Sequence, residues 1–473
     1  MNIDSQALRE LLPTRRWFGG KGREIAAITV LDSCRVDPDS PDLLFCLAAV
    51  RYDDGDDDLY SLPLLADESG AVRDAVDEVE SLRGIGRLMV QGGTCHGEHG
   101  EFRFSGAGLD PMAPPGGRSI RIVGAEQSNS SIVLDESTIV KLFRRVEIGP
   151  NPELELNRLL TNEGFPAVPP QVGEIVYSGN LEGVDVEIDV AFAQHFVADG
   201  REGWADAVER LTALYTELQS RESPNSLREA RTVIEREHDD VLSPYETLGV
   251  VTATLHVTLA REGADPDFAA EPVDHGDLKM WADNVLIALN RLAATSPELA
   301  AMKEGIEERI AALGGISAPG QKIRIHGDYH LGQTMITPRG WLILDFEGEP
   351  ARTLEERRAK QSPLKDAAGM FRSFSYAASS ALFAMCEPGS PEWHALSPWA
   401  DAWEQLARDR FLSGYLRTAH EGGFLPSDRD ELAAMLDVFE IDKALYEINY
   451  ERGHRPEWVR IPLKGISDVL QRG

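Results

Sequence analysis

The chain has little cysteine, a deficit of basic charge and no long apolar run, and each shortage closes off a class of function. Its four cysteines, Cys34, Cys46, Cys95 and Cys386, stand apart with no CxxC pair, so neither a disulfide framework nor a zinc site is expected. Lysine and arginine number 47 against 79 aspartates and glutamates, a formal net charge of −32. Nucleic acid and anionic membrane both bind basic surfaces, so neither is an expected partner. No stretch approaches the roughly 20 apolar residues that span a bilayer. Met1 to Glu10 carries acids and polar residues where a secretory leader has a basic start and an apolar run, which makes the cytoplasm the expected compartment. At 473 residues, 42% of them hydrophobic, the chain is long enough for two or three domains and too apolar for wholesale disorder.

What is present reads first as β-structure. Ile25 to Val30 and Leu43 to Tyr52 are apolar, partly β-branched runs. The acidic tip Asp53 to Asp58 separates the second from Leu59 to Leu65, which makes a hairpin with Gly and Asp turn chemistry. The tip lacks the glutamate that closes a calcium loop, so it reads as a solvated turn. Pro111 to Gly117 is a proline- and glycine-rich boundary. Beyond it, Ser131 to Leu134 and Thr138 to Phe143 form a second hairpin, Asn151-Pro152 opens a helix over Glu153 to Glu163, and Val184 to Val197 is a further strand with an exit segment. From Trp204 the periodicity turns helical: Ala205 to Glu217, Thr252 to Arg261, Pro297 to Leu313, Pro398 to Ala419 and Glu431 to Tyr450. Only Lys322 to Ile325 and Trp341 to Asp345 interrupt it as strands. The expected division is a cap over 1–115, a small β-rich lobe over 116–200 and a helical lobe over 201–473. That α+β layout is the one seen in bilobal protein-kinase-like folds.

The chemistry concentrates in His326-Gly327-Asp328-Tyr329-His330-Leu331-Gly332-Gln333 and Trp341-Leu342-Ile343-Leu344-Asp345-Phe346-Glu347. Phosphoryl transfer needs a carboxylate near the acceptor hydroxyl and oxygen ligands that hold Mg²⁺ on the phosphates. Asp328 supplies the catalytic base, the Gln333 amide follows five residues later, and the strand-terminal Asp345 comes seventeen residues on, with Glu347 beside it as a further metal ligand. A second HGD, His275-Gly276-Asp277, lacks both the amide and the following strand and is set aside as a decoy. Lys141 ends the apolar strand Thr138 to Val140, where a kinase keeps the lysine that grips ATP phosphates, and Glu155 is placed to pair with it. Gln127, Ser128 and Ser130 lie in the phosphate-covering turn, which has no glycine after Gly124 and is no GxGxxG. Gln194 and Phe196, at the exit of the Val184 to Val197 strand, complete the residues assigned to ATP.

These segments resemble the maltokinases, within the aminoglycoside phosphotransferase-like kinases. The resemblance runs through Arg15-Arg16-Trp17-Phe18-Gly19-Gly20-Lys21, Ala125 to Ser130, Lys141 to Arg145, Glu155 to Arg158 and the HGDYHLGQ loop. It continues in Asp345 to Pro350, Ser362 to Asp366, Tyr446-Glu447 and His454-Arg455-Pro456. It implies an N-terminal cap, ATP with Mg²⁺, and transfer to the anomeric hydroxyl of maltose. The same resemblance places sugar binding on Tyr446, Glu447, Tyr450, Glu451, Arg455, Glu457 and Trp458, since sugars need planar polar groups and an aromatic face. Where the family pattern has arginine before the His-Arg-Pro run and glycine after it, this chain has Gly453 and Glu457. Losing a cation and gaining an acid favours a cationic acceptor such as glucosamine, phosphorylated at its 6-hydroxyl. An aminoglycoside acceptor and a regulatory pseudokinase are the remaining alternatives; the intact Asp328 and Asp345 count against the latter.

Overall fold

The computed structural model describes residues 3–37, 40–67, 71–106, 119–123, 129–261 and 265–472. The chain falls into two compact units, Met1–Gly164 with Val168–Ala198, and Phe165–Ala167 with Asp199–Gly473. The first thus contains both the segment read as a cap and the one read as a small lobe. The Pro111 to Gly117 boundary lies outside the described residues.

Among the described residues the first unit has two antiparallel sheets and three α-helices. In chain order these are α1 (Ser5–Leu11), β1 (Ile25–Asp37), β2 (Ser40–Tyr52), β3 (Asp57–Ala66), β4 (Val72–Asp74), α2 (Arg83–Gln91), β5 (Gly93–His96), β6 (Gly100–Ser105), β7 (Ile120–Val123), β8 (Asn129–Leu134), β9 (Thr138–Phe143), β10 (Arg145–Val146), α3 (Pro152–Asn162), β11 (Gln171–Leu181) and β12 (Val184–His195). One sheet runs β1-β2-β3-β10 with β4 on β3; the other runs β5-β6-β11-β12-β9-β8-β7. The unbroken apolar run in β2 has a direct cause. Leu43, Phe45 and Leu47 face one core, shared with the second sheet, while Leu44, Cys46, Ala48 and Val50 face another, shared with α1, Trp17 and Phe18. A strand buried on both faces reads as continuous hydrophobic sequence rather than alternation. The acidic tip divides. Asp54 and Asp56 are exposed and pair with Arg23, whereas Asp58 lies within β3, buried, accepting from Tyr52 Oη at 2.8 Å and pairing with Arg145 at 2.7 Å.

The second unit is mainly helical: α4 (Gly203–Leu218), α5 (Leu227–Glu237), α6 (Ser243–Leu259), α7 (His275–Ala293), α8 (Pro297–Ala311), α9 (Leu354–Arg358), α10 (Leu364–Met385), α11 (Pro391–Ala419), α12 (Arg429–His454) and α13 (Arg460–Gln471). Three differences from expectation are informative. Pro398 sits inside α11, whose start is Pro391 with Ser390 as its cap, so the earlier of two prolines marks the helix start. The strand expected over Lys322 to Ile325 is only Gln321–Lys322, paired with Glu271–Pro272. The strand expected to end at Asp345 stops at Ile343, in a hairpin with Thr334–Thr337, leaving Asp345 free to adopt a left-handed φ of 64°. Among the described residues no helix is long and apolar enough to cross a membrane.

Helices α6 and α11 meet at two glycines. A Cβ on Gly249 would lie 2.0 Å from the Phe411 carbonyl oxygen, and one on Gly414 2.0 Å from that of Glu246. Gly249→Ala forces these backbones apart, and the expected loss is about 1–3 kcal/mol, the usual cost of overpacking, read as a lower urea midpoint. An unchanged midpoint would show that the helices separate at no cost.

Candidate active site

Helix α10 builds the site from below. Asp366, Gly369 and Ser373 lie at i, i+3 and i+7, one stripe of the helix, and all three hold the segment 326–331. The buried Asp366 carboxylate accepts the His326 backbone N–H at 2.8 Å on one oxygen and that of Gly327 at 3.0 Å on the other. His256 Nε2 lies 3.1 Å from Asp366 Oδ2, and His256 Nδ1 2.9 Å from Tyr415 Oη. Gly369 has no side chain because a Cβ there would meet the Tyr329 carbonyl oxygen at 2.6 Å. Ser373 Oγ accepts from Leu331 N at 3.0 Å. Gly327, at φ 85°, makes the turn that points the next residue, Asp328, away from this cradle.

The same loop is tied to the strand that leads to Asp345. His326 Nε2 is 2.9 Å from the Leu344 carbonyl oxygen, and its ring packs on Phe346 at 4.9 Å. Leu344 N donates to the Gln333 carbonyl at 2.9 Å, and Gln333 Nε2 donates to Asp345 Oδ2 at 3.0 Å. With its amide nitrogen on Asp345, the atom that Gln333 would give to a cation is its oxygen. With the carboxylates of Asp345 and Glu347, the donor set is all oxygen, which fits a hard divalent cation such as Mg²⁺ and not a soft one.

Asp328 faces a cation that the sequence reading missed. Lys443 Nζ, on α12, lies 3.1 Å from Asp328 Oδ1 and 2.7 Å from Glu349 Oε1. Burial alone would raise the Asp328 carboxyl, but the Lys443 ammonium, with His330 and His326 near it, outweighs burial and holds it below the ordinary carboxylate value. Burial likewise lowers Lys443, and Asp328 with Glu349 more than reverse it, so both partners are charged. His330 is held below the usual imidazole value by burial. Gly327, Tyr329, Glu349, Asp442, Lys443 and Tyr446 line a cleft of about 760 Å³.

The decoy is structural. Asp277 is the third residue of α7, where it forms a capping box with Asp274 and takes Lys322 Nζ at 2.9 Å. In the first unit, Lys141 Nζ lies 2.6 Å from Glu153 Oε2. The sequence reading gave that carboxylate as Glu155. Residues two apart on a helix point about 200° away from each other, and the buried Glu153 is the one turned to the strand. Ser130 also needs correction: its buried hydroxyl accepts from Arg144 Nε at 2.9 Å, because its strand position turns it inward. Gln127 and Ser128 lie outside the described residues. Gln194 is half-buried in β12, and the Phe196 ring lies 5.1 Å under the Arg121 guanidinium.

Residues 11–90 match the family model of the maltokinase N-terminal cap domain. A glucosamine kinase of Mycolicibacterium smegmatis (strain ATCC 700084 / mc(2)155) is 25% identical over 389 residues, 80% of this chain and 84% of that one. A glucosamine kinase of Streptacidiphilus jiangxiensis is 26% identical over 425 residues, 87% of this chain and 86% of that one. A solved glucosamine kinase in complex with glucosamine, ADP and inorganic phosphate superposes with a TM-score of 0.69 at 20% identity, over 99% of this chain and 100% of that one. The chain thus carries a segment similar to the maltokinase cap and is similar to glucosamine kinases along most of its length. Its fold is the protein-kinase-like one expected from the sequence.

Of the seven residues assigned to sugar, the fold brings only Tyr446 to the wall of this cleft. Glu447 accepts from the buried Arg372 Nε at 3.0 Å, and Glu451 holds Arg455 at 2.7 Å and Tyr376 Oη at 3.1 Å. Trp458 packs against Phe383 and Tyr376 with Arg455 over its face, Tyr450 stacks on His454 at 4.2 Å, and Glu457 is exposed on the short turn Pro456–Val459. Residues unforeseen but present are Lys443, Glu349, Asp442 and Lys365. Lys443 was within reach of helical periodicity, one turn before Tyr446 and Glu447.

The Asp366 pin has a pH signature. Burial pushes its carboxyl up, but the hydrogen bond and charge of His256, with the backbone N–H groups, pull it below the ordinary value. A carboxyl held below its unfolded value of about 3.9 stabilises the fold above that pH and loses the contribution as pH falls through its folded value. Asp366→Asn is therefore expected to cost about 3–5 kcal/mol at pH 7, the cost of breaking a buried charged network. In urea titrations the gap to the parent protein narrows below about pH 4. A gap that is constant with pH would place the effect in packing instead.

Proposed function

We propose that this chain transfers the γ-phosphoryl group of ATP to a hydroxyl of an amino sugar, glucosamine first, with Asp328 as the base. The observation that carries the reading is the ionised Asp328 held by Lys443 at the cleft. The acceptor hydroxyl hydrogen-bonds to Asp328; as its oxygen attacks the γ-phosphorus and the bond to the β-phosphate oxygen breaks, the proton passes to the carboxylate and ADP leaves. Gln333, Asp345 and Glu347 would hold Mg²⁺, which shields the phosphate charge when bound. Lys141, anchored by Glu153, would grip the phosphates, with Glu155, Gln194 and Phe196 near the nucleotide. The division into cap, nucleotide lobe and acceptor lobe belongs to the same proposal.

The amino sugar is favoured by the cleft wall. Burial raises the Asp442 carboxyl more than the charges of Lys365, Arg352 and Lys443 lower it. A ligand ammonium in the cleft would add a further compensating charge. Glu457, the acid first suspected of that role, lies on an exposed turn outside the wall. The two curated relatives quoted above are glucosamine kinases, which adds weight. Maltose is the second reading, on the strength of the cap match at 11–90.

With Mg-ATP, ADP release is expected with glucosamine from a panel that includes maltose and glucose. Turnover only with maltose would replace the first reading by the second, and no turnover at all would sink both. Asp328→Ala is expected to lose on the order of 10²–10⁴ in kcat, while Asp277→Ala lowers Tm by loss of its cap and spares most of the rate. The reverse pattern would move the base to the other HGD. Asp442→Asn should raise KM for glucosamine roughly tenfold and leave that for a neutral sugar nearly unchanged, the worth of about one charged hydrogen bond. Equal losses for both sugars would give Asp442 a structural role.

A further inference from the structure

Arg144 is fully buried in the first unit and lies three residues after Lys141. Its Nε donates to Ser130 Oγ at 2.9 Å, its Nη2 donates to Asp74 Oδ1 at 3.0 Å, and its guanidinium lies 4.7 Å from the Trp17 ring centroid. Among the described residues Nη1 has no hydrogen-bond partner. Asp74 in turn accepts from Trp17 Nε1 at 3.3 Å and from Val76 N at 3.1 Å. Trp17 and Asp74 belong to the cap segment 11–90, whereas Ser130 belongs to β8, which pairs with β9 so that Ser131 stands opposite Lys141.

The backbone repeats the link. Ser61 N donates to the Arg144 carbonyl at 2.9 Å, Arg145 and Val146 pair with Tyr60 and Leu59 of β3, and Arg145 reaches Asp58 at 2.7 Å. The nucleotide hairpin therefore ends inside the cap's own sheet.

Stability alone gives a weak account of this arginine. A buried ion pair returns little over a well-packed apolar side chain, and here one N–H group is left unpaired as well. What the planar guanidinium does supply is direction: its fork fixes Ser130, Asp74 and Trp17 relative to one another.

We propose that Arg144 is a positioning residue through which the cap sets the placement of the β8–β9 hairpin, and with it the Lys141 ammonium, for the nucleotide phosphates. The inference rests on the nucleotide role given to Lys141 above.

Two conservative variants test this, with Tm read alongside because Asp74→Asn leaves the buried Arg144 guanidinium without its counter-charge. Ser130→Ala removes the hydroxyl acceptor and keeps the ion pair, and Asp74→Asn keeps an acceptor oxygen for Arg144 but removes its charge. Calorimetric Kd for Mg-ATP without sugar, KM for ATP, KM for sugar and Tm are measured together. Each variant is expected to weaken Mg-ATP by roughly tenfold, what one hydrogen bond to a charged group carries, with the sugar KM unchanged. Ser130→Thr, which restores a hydroxyl, is expected to recover the Kd. Unchanged Mg-ATP affinity in both variants overturns the inference, as does a rise of both KM values in proportion to the loss of Tm. A parent protein that binds no Mg-ATP overturns the nucleotide reading itself, and the inference with it.

Discussion

The contact on which the helical unit's chemistry depends is the one between the Asp366 carboxylate and the two backbone N–H groups of His326 and Gly327. A buried carboxylate is costly unless each oxygen is satisfied. Here two backbone donors and an imidazole satisfy it, and its place in the first turn of α10 adds the favourable end of the helix dipole. Because the donors belong to the residues just before Asp328, satisfying the charge also fixes the loop. His326 then passes the constraint on through its ring to Leu344, next to Asp345. One buried charge thus holds two segments that are far apart in sequence in a single arrangement.

How much of this the sequence disclosed depended on whether the signal was local. HGDYHLGQ and LILDFEGE could be read because phosphoryl transfer requires particular oxygen donors in a fixed order, and short loops preserve that order as spacing. The decoy HGD could be set aside for the same reason, since no amide and no strand follow it at that spacing; in the fold its aspartate forms a capping box with Asp274. Lys443 could not be found by motif spacing, since it reaches Asp328 across 115 residues; the one local pointer to it was its place a helical turn before Tyr446. Glu153 was missed by two positions, a small error in number but a turn to another face of the helix.

The late helix calls for a different account. Tyr446, Glu447, Tyr450, Glu451, Arg455 and Trp458 form a set of acids and aromatics that reads like a sugar site. In the fold, Glu447 is the counter-charge of Arg372, which is 1% exposed, and Glu451 serves Arg455 and Tyr376. Composition cannot tell an acid held by a buried arginine from one waiting for a ligand. Asp442 shows the converse: on the proposed reading it matters because burial outweighs the cations around it, a balance that only coordinates reveal.

A chain with net charge −32 that takes an anionic nucleotide needs local positive charge, and on the proposed reading its site lysines are tightly held. Lys141 is anchored by Glu153 and Lys443 by Asp328 and Glu349, so each ammonium is aimed without the search that a flexible lysine makes. The Lys443 contact also bears on how Asp328 can act. A carboxylate held below its ordinary value is a weak proton acceptor, poorly matched to strip a sugar hydroxyl of its proton early. A loose transition state does not ask for that, because the attacking oxygen keeps its proton until bonding to phosphorus is well advanced. On the proposed reading Asp328 therefore contributes chiefly by orienting the hydroxyl in line and taking the proton late. Lys443, by keeping the carboxylate ionised, ensures that it always presents an acceptor to that hydroxyl and never a competing O–H.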